Sequence, residues 1–277
     1  MANDTRPAAT AVERDVVRML ASEIGQFMAQ LVPERPLGPD EGFRWGDPAI
    51  ELTGVMIAFF PTVEAIEACA AEGCNLLLCH EQLPMPYPWR GEGDLGENLT
   101  WPVNFNRIGA LARHGITLFR AHGTLDRFCI HQAFVDLLGL GEPVLQDGYT
   151  SLFEIEPVTV RALVEDVKRR TGMAALRVTA DLDRVVSRVG LPWGGTGLSV
   201  NAHFLNSVIV HGPDLLIAGE TDEYAMRMVR DCGVELIETG HAVSEEPGLE
   251  WFAQYLREQF PQLRVIYHPC EPAWEVL

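Results

Sequence analysis

The feature that most constrains this chain is a repeated order of strand-sized apolar blocks. Gly54-Val55-Met56-Ile57-Ala58-Phe59-Phe60 reads as a buried strand that stops at Pro61. Thr62 caps a helix from Val63 to Glu72, Gly73 ends it, and Leu76-Leu77-Leu78-Cys79 forms the next strand. Strand, helix, strand is the unit that builds a parallel sheet. The order then recurs. Residues 74–81 read CNLLLCHE and 213–220 read PDLLIAGE; residues 114–126 read HGITLFRAHGTLD and 232–245 read CGVELIETGHAVSE. An internal duplication explains these echoes. The expected fold class is therefore α/β, with two similar lobes at 1–148 and 149–277.

The intervening segments fit that plan. An amphipathic helix is expected from Val12 to Leu31, and a Gly- and Pro-rich loop from Pro36 to Pro48. Pro84 to Gly96 reads as a long irregular insert with aromatic residues, a lid or an assembly surface. The second half carries strands near Ser151 to Ile155, Leu176 to Val178, Val185 to Leu191, Leu215 to Ala218 and Val234 to Ile237. A helix is expected from Gly248 to Phe260, and Val265-Ile266-Tyr267 closes the sheet.

Composition removes several function classes. The chain has 277 residues and a formal net charge of −18, and its only basic run, Lys168-Arg169-Arg170, lies on a polar helical pattern. That excludes a nucleic-acid stripe. No apolar run reaches the ~18–20 residues needed to span a membrane. Met1 to Thr10 lacks a basic region followed by an apolar core, and the six cysteines form no C-x-x-C pair. A cytoplasmic address is expected, with the cysteines acting as small core hydrophobes.

Three clusters fall just past the carboxyl ends of apolar strands: His80-Glu81, His122 with Asp126, and His241 with Glu245. Open α/β sheets place ligands there. Imidazole nitrogen and carboxylate oxygen together suit Zn²⁺, Mn²⁺, Fe²⁺ or Ni²⁺, and a spacing of four puts both groups on one side of a turn or helix. If the halves pack about a pseudo-two-fold, five or six ligands converge between the lobes. His114, His131, His203, His211 and His268 stand alone, and surface or capping roles are expected for them. Gly194-Gly195-Thr196-Gly197 matches no nucleotide fingerprint and reads as a tight turn able to present N–H groups to an anion.

At these clusters the chain resembles the Ngg-interacting-factor-three-like (NIF-three-like) proteins, the dinuclear-metal group also called "GTP cyclohydrolase I type 2-like". The family's strand-helix-strand motif ending in H-H-P is similar to Val55 through Gln82, its A-H-t-n-l-D to Ala121–Asp126, and its T-G-E with G-H-x-x-[ST]-E to Ala218–Glu220 with Gly240–Glu245. The resemblance implies that His80, Asp126, His241 and Glu245 are metal ligands, with the carboxylates bridging two ions. The family's second histidine is Glu81 here, and the aspartate common after the first strand is replaced by Phe59 or Phe60. The resemblance also implies a homohexameric toroid.

The leading expectation is a hydrolase that uses one or two divalent ions and metal-activated water on a small cyclic-amide, heteroaromatic or nucleotide-like substrate. Glu81 is expected to be an oxygen ligand or a general base, and His122 a catalytic group orienting a ligand. Arg90, Arg120, Arg127, Trp193 and Glu220 are candidate substrate contacts; Arg suits an anionic group. Two alternatives stand beside it: a non-catalytic metal-binding ring or scaffold, and a one-metal Fe(II) lyase or oxidoreductase.

Overall fold

A computed structural model describes residues 18–85, 98–179 and 181–274. The strand and helix order of the first half recurs in the second. The first half runs α1 (Ala21–Met28), β1 (Gly42–Trp45), β2 (Val55–Ala58), α2 (Val63–Ala71), β3 (Leu76–Cys79), α3 (Pro102–His114) and β4 (Thr117–Arg120). After α4 (His131–Leu138), β5 (Leu145–Asp147) and β6 (Thr150–Thr159), the pattern repeats. It runs α5 (Val160–Thr171), β7 (Arg177–Thr179), β8 (Val185–Gly190), α6 (Ala202–Ile209), β9 (Leu215–Ala218), α7 (Glu223–Asp231) and β10 (Glu235–Glu238). Helix α8 (His241–Gln259) and β11 (Val265–His268) follow.

Each half builds the same four-strand order. One sheet reads β1-β4-β3-β2-β11 and the other β5-β6-β8-β9-β10-β7. In both, the three central strands are parallel and the added edge strand, β1 or β7, runs antiparallel. The halves are interlocked at the end of the chain, because β11 pairs in parallel with β2 of the first sheet. The last strand thus closes the first sheet rather than its own.

Strand alternation sorts the core into layers. Val55, Ile57, Leu76, Leu78 and Phe119 of the first sheet share one cluster with Val189, Leu215, Ile217 and Ile237 of the second, and with Phe134 of α4 and Phe252 of α8. The opposite faces are covered separately. Met56, Leu77 and Leu118 pack under α2 and α3, while Leu216, Ala218 and Leu236 pack under α6 and α7. The parallel strands β2, β3 and β9 are buried on both faces, which is why they read as unbroken apolar runs. Four cysteines are buried as expected, but Cys232 is exposed and Cys270 half-buried.

Three segments differ from the sequence reading, and most of the expected Pro84–Gly96 insert lies outside the described residues. The helix expected from Val12 to Leu31 is helical only over Ala21–Met28 among the described residues. The Pro36–Pro48 loop contains β1, whose four residues are half-buried and bulged against β4, so no clean period-2 pattern announces it. Helix α8 starts at His241, seven residues before the expected Gly248, and continues through Pro247. The interior proline forfeits a helical hydrogen bond. Close packing holds the helix there: a Cβ on Gly248 would lie 2.8 Å from Ile130 Cγ1.

Candidate metal centre

The carboxyl ends of β3, β4, β9 and β10 meet where the lobes join. His80 and Glu81 leave β3 directly. Asp126 follows β4 after one tight turn, in which its N–H donates to the His122 carbonyl at 3.1 Å, and opens a five-residue π-helical turn. Such turns are rare and recur at functional sites. His241 and Glu245 occupy the first turns of α8, four residues apart.

These side chains converge. His80 Nε2 lies 3.6 Å from Asp126 Oδ1 and 3.2 Å from Glu245 Oε2. His241 Nε2 lies 3.4 Å from Glu81 Oε1 and 3.3 Å from Glu245 Oε1. Glu245 therefore spans the two imidazoles, one oxygen to each. Ligand atoms of His80, His122 and Asp126 lie within 4.8 Å of one another, as do those of His80, Glu81 and Glu245. His80 belongs to both groups. His241 touches the second pairwise but belongs to neither triad.

All three histidines are anchored through Nδ1. His80 meets the Ala121 carbonyl at 2.9 Å, His122 meets Asp40 Oδ2 at 2.9 Å, and His241 meets Glu220 Oε2 at 3.0 Å. Fixing Nδ1 as the protonated nitrogen leaves Nε2 as the free donor, the arrangement that outer-sphere partners impose on metal-binding histidines. Around them, Glu41 accepts from the backbone N–H groups of His122 (2.8 Å) and Thr124 (2.9 Å), holding the turn that carries Asp126. The Tyr149 hydroxyl donates to Asp126 Oδ2 at 3.0 Å, leaving Oδ1 for the centre.

The electrostatics call for positive charge. Burial opposes an imidazolium at His80, but Glu245, Asp126 and Glu81 outweigh it and push its pKa up to about 9. His241 is likewise disfavoured by burial and raised well above the usual histidine range by Glu245, Glu220 and Glu81. Glu245 resists burial and is held far below the carboxylate range by the two histidines, whereas burial raises Asp126. His80 Nε2 and Glu245 Oε2 are buried with no hydrogen-bond partner. An orphaned imidazole nitrogen facing an orphaned carboxylate oxygen fits a divalent cation. The glycine-rich turn shapes the same space: Gly194 has φ +55°, and a Cβ there would collide with Glu245 Oε1. One on Gly195 would lie 3.1 Å from His241 Cε1. The turn thus packs against the Glu245 carboxylate and the His241 ring.

A cleft of ≈130 Å³ opens over Asp126, lined by Arg127, His131, Gln146, Gly148, Tyr149 and Trp193. Of the candidate substrate contacts, Arg127 is exposed at its rim and Trp193, nearly buried, forms its wall. Arg120 instead turns inward. It is buried, donates from Nε to the His80 carbonyl (3.1 Å), and lies 2.8 Å from Asp40 Oδ2 and 3.8 Å from Glu81 Oε2. Glu220 is half-exposed on His241. Arg90 lies outside the described residues. Asp40, Glu41 and Tyr149 are not singled out in the sequence; an Asp-Glu doublet in a Gly/Pro loop is the one signal available for the first two, and none marks Tyr149. His131, expected at the surface, packs 4.5 Å from the Trp193 ring and meets Ser151 Oγ at 3.1 Å.

Fold and site together define a two-lobed α/β protein that gathers histidines and carboxylates at its joined strand ends, with candidate metal-binding groups. The chain belongs to the Duf34/NIF3 (NGG1p interacting factor 3) family, whose profile matches residues 19–272. It is 24% identical over 230 residues to a GTP cyclohydrolase 1 type 2 homolog of Clostridium perfringens, covering 79% of this chain and 83% of that one. A homolog of the same name from Escherichia coli strain K12 is 26% identical, over 62% of this chain and 68% of its own. The fold matches a Staphylococcus aureus hypothetical protein (TM-score 0.75, 16% identity, 94% of this chain and 100% of that one). It also matches a Bacillus cereus protein related to NIF3 (TM-score 0.75, 13% identity, 94% and 99%).

Proposed function

We propose that this protein is a metal-dependent hydrolase acting on a small cyclic-amide, heteroaromatic or nucleotide-like substrate. The observation that carries the reading is the orphaned pair, His80 Nε2 and Glu245 Oε2, buried beside a cleft that reaches Asp126. The "GTP cyclohydrolase 1 type 2 homolog" names of the relatives agree with it. Two groups that share His80 would each hold a first-row divalent ion, one with His122 and Asp126 and the other with Glu81 and Glu245, with His241 beside the second. Such an ion, when bound, would acidify water and polarise the scissile group.

The chain's own residues supply the remainder. The Ala121 carbonyl and the Asp40 and Glu220 carboxylates fix three imidazoles in one tautomer. Tyr149 fixes one oxygen of Asp126. Glu81, buried between Arg120 and His241, is the carboxylate placed to accept a proton during attack. Arg127 at the cleft rim offers a cation to an anionic substrate group. By family likeness the chain assembles as a homo-oligomer, a hexameric toroid, in the cytoplasm, and light scattering checks that mass.

The test is a panel of cyclic amides, nucleotides and heteroaromatic compounds assayed with protein loaded with Zn²⁺, Mn²⁺, Fe²⁺ or Ni²⁺. Hydrolysis that disappears in Asp126→Ala is expected. Metal binding with no turnover across the panel would favour the non-catalytic ring or scaffold. One observation favours a second reading. His80, His122 and Asp126 make a two-histidine, one-carboxylate triad, which suits a one-metal Fe(II) lyase or oxidoreductase. Anaerobic Fe²⁺ loading followed by reaction with nitric oxide distinguishes it by its spectrum.

A further inference from the structure

The cleft over Asp126 is walled by three segments, each delivering a different kind of group. The π-helical turn and the start of α4 bring Arg127 and His131, about one helical turn apart. The β5–β6 hairpin brings Tyr149; Gly148 (φ +57°) and Tyr149 form its two-residue turn, a kind that needs glycine first. Trp193 comes from the segment that follows β8. Asp126, 5% exposed, joins the cleft to the centre, with Oδ1 toward His80.

Charge in the cleft is sparse. Arg127 is exposed, and no carboxylate among the described residues pairs with it. Its Nη1 donates to the Gly123 carbonyl at 2.6 Å, and its guanidinium carbon lies 5.4 Å from the centre of the Tyr149 ring. Both contacts position the guanidinium without neutralising it. The walls are uncharged. Trp193 stacks on Tyr149 with ring centres 5.4 Å apart and lies 4.5 Å from His131, which burial keeps neutral at physiological pH.

Volume and charge together limit the occupant. A dry cavity of about 150 Å³ holds one benzene ring. The ≈130 Å³ here therefore matches a single six-membered ring and is too small for a purine with its ribose. One unpaired guanidinium balances one negative group on a ligand. Further negative charge would meet Asp126, with no second cation among the described lining residues.

We infer that the cleft is a recognition pocket for a planar, single-ring monoanion, with its anionic group on Arg127 and its ring along the neutral wall of Tyr149, Trp193 and His131. This rests on the hydrolase reading above and narrows its substrate to single-ring compounds of one negative charge, setting nucleoside triphosphates aside.

The experiment is calorimetry on the Zn²⁺-loaded full chain with benzoate, its neutral isostere benzamide, and GTP, beside hydrolysis assays of single-ring amides. Wild-type protein should bind benzoate at least about fivefold more tightly than benzamide or GTP, the upper scale of one ion pair at a solvent-accessible site. Arg127→Gln should reduce benzoate to the affinity of benzamide while Zn²⁺ affinity stays unchanged, and Arg127→Lys should keep part of the preference. Benzoate affinity that survives Arg127→Gln would place the carboxylate on the metal ion and overturn the inference. GTP binding as tight as benzoate overturns it equally. Circular dichroism verifies folding. If Arg127→Gln does not fold, wild-type crystals soaked with benzoate decide: a carboxylate on Arg127 supports the pocket, and one seated elsewhere overturns it. Turnover of ring amides without any preference for benzoate sinks the pocket and leaves the hydrolase standing. A benzoate preference with no turnover does the reverse.

Discussion

Three imidazoles reach this centre, and each is held at Nδ1 by a different kind of acceptor: a strand carbonyl, a loop aspartate and a strand-end glutamate. Positioning at this scale depends on small groups that a side chain could disturb. Gly194 is the sharpest case, since its positive φ and the adjacent Glu245 carboxylate both demand glycine. Gly194→Ala should displace Glu245 and weaken Zn²⁺ binding by at least tenfold, read by calorimetry, with a loss of about 1–3 kcal/mol in stability. Tyr149→Phe tests the anchoring of Asp126. Removing the hydroxyl frees Asp126 Oδ2, a bond worth about 1.5–3 kcal/mol to a charged acceptor. Zn²⁺ affinity should fall on the order of tenfold, as loss of an outer-sphere partner does, with the fold retained by circular dichroism.

Elements are where the sequence was easiest to read, and where its failures have plain causes. Strands β2, β3 and β9 were legible because both faces are buried, so every residue is apolar. The short edge strand β1 was not, because its half-buried residues carry no alternation. Pro247 hid the first two turns of α8, which hold His241 and Glu245, although the spacing of four already implied one helical turn. Asp40 and Glu41 lie in that same unread loop, so the anchors of His122 and its turn were invisible while the ligands themselves were not. The one cap expected from the sequence, Thr62, accepts from Ala65 N at 3.0 Å, and the structure adds a second that the sequence reading does not include. Asp222 caps α7 by accepting from Ala225 N at 3.0 Å, and its other oxygen accepts from Ser199 N at 2.8 Å. One side chain thus ties α7 to the segment after the glycine-rich turn. Asp222→Ala should cost about 1–2 kcal/mol in chemical denaturation, the upper part of the range for an N-cap.

At the scale of the molecule, the duplication is symmetric in topology and asymmetric in chemistry. His80-Glu81 and Gly219-Glu220 stand at equivalent strand ends, yet a side chain at 219 would lie 2.7 Å from Ser244 Oγ. The second lobe therefore gives up a ligand so that its glycine-rich turn can pack onto α8, and it supplies Glu220 as an anchor for His241 instead. The shared core between the lobes holds one more consequence, at His131. Burial against Trp193 lowers its pKa to about 4, below the ordinary 6.5, so the folded state keeps it neutral where the unfolded chain would take up a proton. The sign follows directly. The stabilisation is complete above about pH 6.5, declines as pH falls, and is lost as pH passes through the folded value near 4. The full span corresponds to at most about 3.4 kcal/mol. His131→Gln should flatten the decline in stability between pH 6.5 and 4 in urea unfolding of the ion-free chain. An unchanged slope in that variant would mean that His131 is protonated in the folded state, and that the wall of the cleft carries a charge beside Asp126 at mildly acidic pH.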